Sequence, residues 1–137
     1  MKRPADMTDS ELVETVIARL RVQGRRAVDE VEACVYRTPT GERCAVGVLL
    51  SDELATSADA IRGRVYRVCR VDPRIAEWLG VSLNEDGPPG DSSRTYLLLH
   101  LQEIHDSSHN WNPWGLKPSA VMAMRQYLTA SLKAGIF

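Results

Sequence analysis

The sequence of 137 residues lacks any long hydrophobic run. Its longest apolar stretch, residues 45–50, is far shorter than the roughly 20 residues that a membrane-spanning helix requires. The first residues also lack the apolar core of a secretion signal. We therefore expect a cytoplasmic protein that has no membrane partner.

An excess of charge of one sign is also absent, because 17 basic residues face 18 acidic ones and the formal net charge is -1. Such a balance creates no overall field that would attract nucleic acid. The densest basic stretch is interpreted as a solvated helix face rather than a phosphate-binding surface; its members are Arg62, Arg64, Arg67, Arg70 and Arg74. Nucleic acid is accordingly not a predicted partner.

Cysteine is scarce, and the three that occur, Cys34, Cys44 and Cys69, form an odd count that favours reduced thiols over disulfides. Zinc accepts thiolate and imidazole ligands, and Cys34 and Cys44 with His105 and His109 would be such a set. Nine residues separate Cys34 from Cys44, however, whereas cysteine pairs in structural zinc sites are separated by about two to four. We predict no metal and no cofactor.

The sequence does contain strong helical signals. Thr8 and Glu11 have the spacing of a capping box, and Gly24 is a typical helix end, which together predict a helix over 9–23. Asp72 followed by Pro73 predicts a short helix ending at Gly80. Further helices are predicted over 93–106, over 118–133 and from about residue 57, where the β-branched residues leave a strand as the alternative.

Signals for β-structure are confined to one region. Residues 34–37 have strand character and 38–42 have turn chemistry, which predicts a short hairpin or strand and turn. Residues 44–50 fit either a return strand or a buried helical turn, and we favour a helix with Cys44 near its start.

The resulting fold class is α+β and helix-dominant, with four or five helices packed with a small β-hairpin. A single domain over 1–137 is expected, with 1–7 as a flexible tail and 83–92 as a loop.

Cys44 and His105 are the residues most suited to chemistry. A thiol at a helix start is expected to have a lowered pKa, and His105 lies on the core-facing side of its helix. Cys44 as nucleophile, His105 as base and either Asp106 or a backbone group orienting the base would form a catalytic set. The alternative is that Cys44 is an inert core residue and that a backbone carbonyl holds His105.

Three segments carry a resemblance to a known family: residues 34–37 (Cys-Val-Tyr-Arg), 41–47 (Gly-Glu-Arg-Cys-Ala-Val-Gly) and 101–106 (Leu-Gln-Glu-Ile-His-Asp). The chain resembles a family of small uncharacterised bacterial and bacteriophage proteins over about residues 12 to 106. It departs from the pattern at Val48, where a further cysteine is common, and at Ser51, where proline is common. The resemblance implies one recurring set of residues, namely Tyr36, Arg37, Cys44, His105 and Asp106, but no established activity.

The predicted function is that of a phage-associated or bacterial accessory protein, which binds a small anionic ligand or a partner's peptide. Tyr36, Arg37 and Arg43 are the predicted ligand-binding residues, with Arg37 as the anion contact. One alternative is a cysteine-dependent hydrolase or transferase that uses Cys44, His105 and Asp106. A second alternative is a structural interaction module.

Overall fold

Six α-helices and one small sheet make up the regular structure in the computed structural model, which describes residues 2–28, 35–82 and 93–133. The helices are α1 (Asp9–Gln23), α2 (Asp52–Ile61), α3 (Val65–Val71), α4 (Pro73–Leu79), α5 (Ser93–Asp106) and α6 (Pro118–Lys133). Strands β1 (Trp111–Asn112) and β2 (Gly115–Leu116) pair antiparallel between α5 and α6. The fold is α+β and helix-dominant as predicted, with one or two helices more than expected.

Helix α1 confirms the prediction from its caps. The Thr8 side chain accepts a hydrogen bond from the Glu11 backbone, and the Glu11 carboxylate accepts one from the Thr8 amide. Gly24 ends the helix in the left-handed conformation, with φ of 77°. The helix buries one apolar stripe against α5, α6 and β2, and this stripe consists of Leu12, Val13, Val16, Ile17 and Leu20.

The single helix expected from about residue 57 is wrong, because the chain forms two helices there. Ser51 caps the start of α2, and the helix ends where Arg62 adopts a φ of 65°. Gly63 also has a positive φ, 105°, so the chain turns before α3 begins. An arginine with positive φ has no signature in the sequence, and the hydrophobic spacing alone therefore suggested continuity.

The small β-hairpin lies elsewhere than expected. In the predicted region only one antiparallel bridge, between Arg37 and Arg43, joins the two sides of the turn, and Cys34 lies outside the described residues. The segment after Cys44 is a turn that leads into a 3-10 turn, Gly47–Leu49. The observed hairpin has strands of two residues, which are too short to show periodicity.

The N-terminal segment differs from the flexible tail expected for residues 1–7. Residues Pro4–Asp6 form a 3-10 turn in which Pro4 is buried. The Arg94 guanidinium of α5 donates to the carbonyls of Pro4 at 2.9 Å and Met7 at 2.7 Å, and to the Asp9 carboxylate at 2.8 Å. The loop expected over 83–92 lies outside the described residues.

The core is shared by all six helices, with α1 and α5 providing most of its large side chains. Helix α5 packs on α6, α3 and α1. In the described ranges, no helix combines the length and apolar character that crossing a membrane demands.

Candidate functional site

Tyr36 and Cys44 are brought together by a close approach of two backbone segments. The Cys44 amide donates to the Tyr36 carbonyl at 3.3 Å. A Cβ added to Gly47 would lie 2.0 Å from that same carbonyl oxygen, so only glycine fits at this position. The local Cys-Ala-Val-Gly sequence therefore holds Cys44 directly beside Tyr36.

The Cys44 thiol is sealed inside the protein. Its side chain is fully buried, and its sulfur accepts a hydrogen bond from the Gly47 amide at 3.2 Å. The Nε2 atom of Gln102 contacts the sulfur at 3.8 Å. Burial raises the pKa of Cys44 to about 12, and the Gly47 hydrogen bond offsets only part of that effect. The expected lowering of the Cys44 pKa is therefore wrong, since desolvation outweighs the contribution of a single short turn.

His105 is completely buried and has a partner at each ring nitrogen. Its Nε2 accepts from the Ala27 amide at 3.2 Å, and its Nδ1 donates to the Asp106 carboxylate at 2.8 Å. These partners define a neutral ring with the proton on Nδ1. Trp111 packs edge-on against the ring, with 5.5 Å between centroids, and donates its indole N–H to the His105 carbonyl.

The predicted pairing of His105 with Cys44 is consequently not formed, because neither ring nitrogen is left for the thiol. The geometry favours the structural alternative, in which a backbone group holds the histidine. That group is an amide rather than a carbonyl. The hydrogen bond from Nδ1 to Asp106 fixes the orientation of the ring.

Arg37 and Arg43 lie on either side of one carboxylate. Arg37 contacts Asp52 at 3.3 Å and donates to the Thr56 hydroxyl at 2.6 Å. Arg43 also binds Asp52 and donates to the Leu50 carbonyl at 2.7 Å. Both guanidinium groups therefore have internal acceptors, and their role as anion contacts stays a prediction.

Tyr36 is held in place by α2 and by the turn that follows it. Its hydroxyl donates to the Gly63 carbonyl at 2.6 Å, and its amide donates to the Asp59 carboxylate at 2.8 Å. Burial raises the pKa of the Tyr36 hydroxyl far above its ordinary value, so the phenol stays protonated as a donor.

A pocket of about 200 Å³ lies between α5 and the turn that joins α2 to α3. Its volume would admit only a small group. We call it the Gln102 pocket, and its walls are Gly63, Arg64, Leu99, Gln102, Glu103 and Asp106. Of the predicted site residues, Asp106 lines this pocket. Tyr36 and Cys44 contact its walls from the inner side, through Gly63 and Gln102 respectively.

Gln102 carries an unusual group at this pocket. Its Oε1 atom is buried and has no hydrogen-bond partner, the one side-chain nitrogen or oxygen atom with this property in the part of the chain that the structure describes. A buried polar atom without a partner destabilises a fold by about 1–3 kcal/mol. The residue stands in the Leu-Gln-x-x-His-Asp motif, but only the folded structure reveals that its oxygen lacks a donor.

The turn that forms the opposite wall contains a strained residue. Arg62 has φ of 65° and ψ of 158°, a combination that is nearly confined to glycine. A non-glycine residue there costs on the order of 1–3 kcal/mol. The strained turn brings the Gly63 carbonyl to the Tyr36 hydroxyl and so shapes the pocket.

The charges around the Gln102 pocket are mixed but slightly negative. Arg64 forms an ion pair with Glu103 at 3.5 Å, and both side chains are largely exposed. Asp106 adds a second carboxylate, about one third exposed, of which one oxygen binds His105. The walls therefore contribute two negative charges and one positive charge.

No cluster of three or more His, Cys, Asp or Glu side chains with metal-binding geometry occurs within residues 2–28, 35–82 and 93–133. The zinc set considered from the sequence includes Cys34, which those ranges do not cover. Comparisons with protein-family models, curated proteins and solved structures found no match. The interpretation of the pocket therefore depends on its own geometry.

Proposed function

We propose that this protein is a binding protein whose Gln102 pocket accepts a cationic nitrogen group on a short apolar stem. The observation that carries the proposal is the buried Gln102 oxygen, an acceptor without a donor. An ammonium or guanidinium group supplies N–H donors and no acceptor, which is the complement of such an oxygen. A small rotation of the Gln102 amide would turn Oε1 toward the ligand.

The charge of the walls supports a cation rather than the anion expected from the sequence. Glu103 and Asp106 outweigh Arg64, and Arg64 is already paired with Glu103. The anion prediction depended on Arg37 and Arg43, which are bound to Asp52 and do not line the pocket. Carboxylates form charge-assisted hydrogen bonds with the N–H groups of cations, which are roughly twice as strong as hydrogen bonds between neutral groups.

The apolar part of the ligand would lie along Leu99, the hydrophobic member of the pocket wall. A lysine or arginine side chain of a partner protein and a free small amine share this chemistry. A cysteine-dependent reaction receives no support from the site, because the Cys44 thiol is buried, has a pKa of about 12 and lacks a base.

The proposal can be tested by titrating isotopically labelled protein with agmatine and with N-acetyl-lysine methylamide while recording amide spectra. We expect saturable shifts of the Gln102 side-chain amide and of residues of α5, and no such shifts with n-butanol, a stem without the charge. Stronger binding of the lysine amide than of agmatine would identify a partner's side chain as the source of the cation.

A pair of variants separates the pocket from general surface charge. Glu103→Gln should weaken binding of both probes by roughly two- to fivefold, the range for an exposed ion pair. Glu77→Gln removes an equal charge on α4 and should leave binding unchanged. Saturation by acetate or phosphate, together with no response to the amines, would overturn the proposal in favour of an anion site.

A further inference from the structure

Arg64 is a positive charge on the wall of a pocket that is proposed to bind a cation. Among the described residues that line the Gln102 pocket, it is the single basic one. Its side chain is a guanidinium on an apolar stem, and the proposed ligand is a cationic nitrogen group on such a stem. The protein therefore carries the chemistry of the proposed ligand within its own chain, at the pocket itself.

The backbone of Arg64 is fixed, whereas its side chain is held weakly. Arg64 is the N-cap residue of α3, and its carbonyl accepts hydrogen bonds from the amides of Arg67 at 3.0 Å and Val68 at 3.2 Å. The side chain makes no capping hydrogen bond. It is 64% exposed and forms its ion pair with Glu103 at 3.5 Å. Exposed pairs of this kind contribute little to stability, so the pair can break without disturbing α3.

Three side chains of the pocket offer acceptor oxygens, and they differ in what they already bind. The Gln102 Oε1 atom has no partner. Asp106 accepts a hydrogen bond from the neutral His105 ring at 2.8 Å. Glu103 is paired with a cation, the Arg64 guanidinium. An incoming cation therefore meets a competitor of its own charge at Glu103.

We propose that Arg64 is a built-in competitor of the ligand, which occupies the Glu103 carboxylate in the free protein and is displaced from it when the cation binds. This inference rests on the amine-binding function proposed above. Displacement requires no movement of the backbone, and the Arg64 guanidinium already lies largely in water. The ion pair that is lost offsets part of the ion pair that the ligand gains, so Arg64 lowers the affinity of the pocket.

A double-mutant cycle tests the competition, with agmatine as the probe and the amide shifts of α5 as the measure of affinity. Arg64→Gln should tighten agmatine binding by roughly two- to fivefold when Glu103 is present, the range for an exposed ion pair. The same substitution in a Glu103→Gln protein should change the affinity much less, because the carboxylate for which Arg64 competes is gone. Tightening of equal size in both backgrounds would reveal general charge repulsion and overturn the inference.

Arg70→Gln is the matched control, since it removes the same charge from the last turn of α3, outside the pocket wall. It should leave agmatine affinity unchanged, and tightening equal to that of Arg64→Gln would contradict the inference. An unchanged affinity in Arg64→Gln would overturn this inference alone and leave the proposed function standing. Absence of agmatine binding in the wild type and in every variant would overturn both.

Discussion

His105 and Gln102 lie three residues apart on α5, yet these two inward polar side chains differ in whether their polar atoms have hydrogen-bond partners. Both ring nitrogens of His105 have partners, one of them the Ala27 amide from a segment 78 positions earlier in the chain. Gln102 places an amide oxygen in the interior without any donor. Groups that are fully satisfied contribute to the fold, whereas a polar group left unsatisfied is a candidate for binding a ligand.

The same contrast extends to the neighbours of each residue. Cys44 and Trp111 resemble His105, because burial and hydrogen bonds leave none of their polar atoms for a ligand. Arg62 belongs instead with Gln102, because its strained backbone shapes the pocket wall opposite that residue. Substitution of a residue whose polar atoms all have partners should change stability, and substitution of a residue lining the Gln102 pocket should change binding.

The largest expected effect concerns the reactivity of Cys44. A pKa of about 12 instead of 9.0 reduces the thiolate fraction at neutral pH by roughly a thousandfold. Native protein should therefore be alkylated at Cys44 only at the rate of unfolding, as measured by peptide mass, and at the full thiol rate in denaturant. Fast alkylation near neutral pH that slows in His105→Ala would restore the catalytic interpretation.

The raised pKa of Cys44 also predicts how the stability of the protein depends on pH. Because the thiol is harder to ionise when folded, its contribution to stability is complete below pH 9 and is lost as the pH rises toward about 12. Denaturation of Cys44→Ala should show a shallower decline over that interval. An identical decline in both proteins would contradict a raised Cys44 pKa.

His105→Ala should produce the largest loss of folding stability. The change leaves the buried Ala27 amide without an acceptor and opens a cavity beside Trp111, which together cost about 3–4 kcal/mol. Urea denaturation measures this loss. His109→Ala is the matched control at an exposed position, where we expect a change within about 0.5 kcal/mol. Equal effects of the two substitutions would show that His105 is not a structural centre.

The sequence allows prediction of the elements that begin and end with local signals. Thr8 and Gly24 define α1, and the apolar spacing defines α5, including the inward direction of His105. The partner of the His105 Nε2 atom could not be predicted, since Ala27 contributes a backbone amide and such contacts leave no trace in residue type. The pKa of Cys44 was predicted in the wrong direction because complete burial depends on packing by distant segments.

The Gln102 pocket illustrates the same limit. Gln102 and Asp106 lie in one motif, in which the sequence points to Asp106 as a site residue. The wall across from them depends on a positive φ at Arg62, a residue whose type gives no reason to expect it. The candidate pocket therefore became visible only when the α2–α3 turn was placed against α5.

Arg62→Gly should raise stability by about 1 kcal/mol, because glycine adopts this backbone conformation without strain and only part of the gain is lost to greater freedom of the unfolded chain. Arg21→Gly, in the last turn of α1, should instead lower stability by up to about 1 kcal/mol. Stability changes of opposite sign for the two variants, measured by thermal unfolding, would establish the strain at the pocket wall. A loss of stability in both variants would show that the Arg62 side chain matters more than its backbone.

The smallest expected change in stability, and the clearest test of the contrast on α5, comes from Gln102→Met. Methionine fills a similar volume without an unpaired oxygen, so the free energy of unfolding should stay the same or rise by up to about 1 kcal/mol. Amine binding should be lost. Gln23→Met is the same substitution at a satisfied amide, whose Oε1 accepts from the Arg43 backbone at 2.7 Å, and it should cost about 2 kcal/mol. If Gln102→Met destabilises the protein as much as Gln23→Met does, the Gln102 amide serves the fold, and the pocket loses the group that selects its ligand.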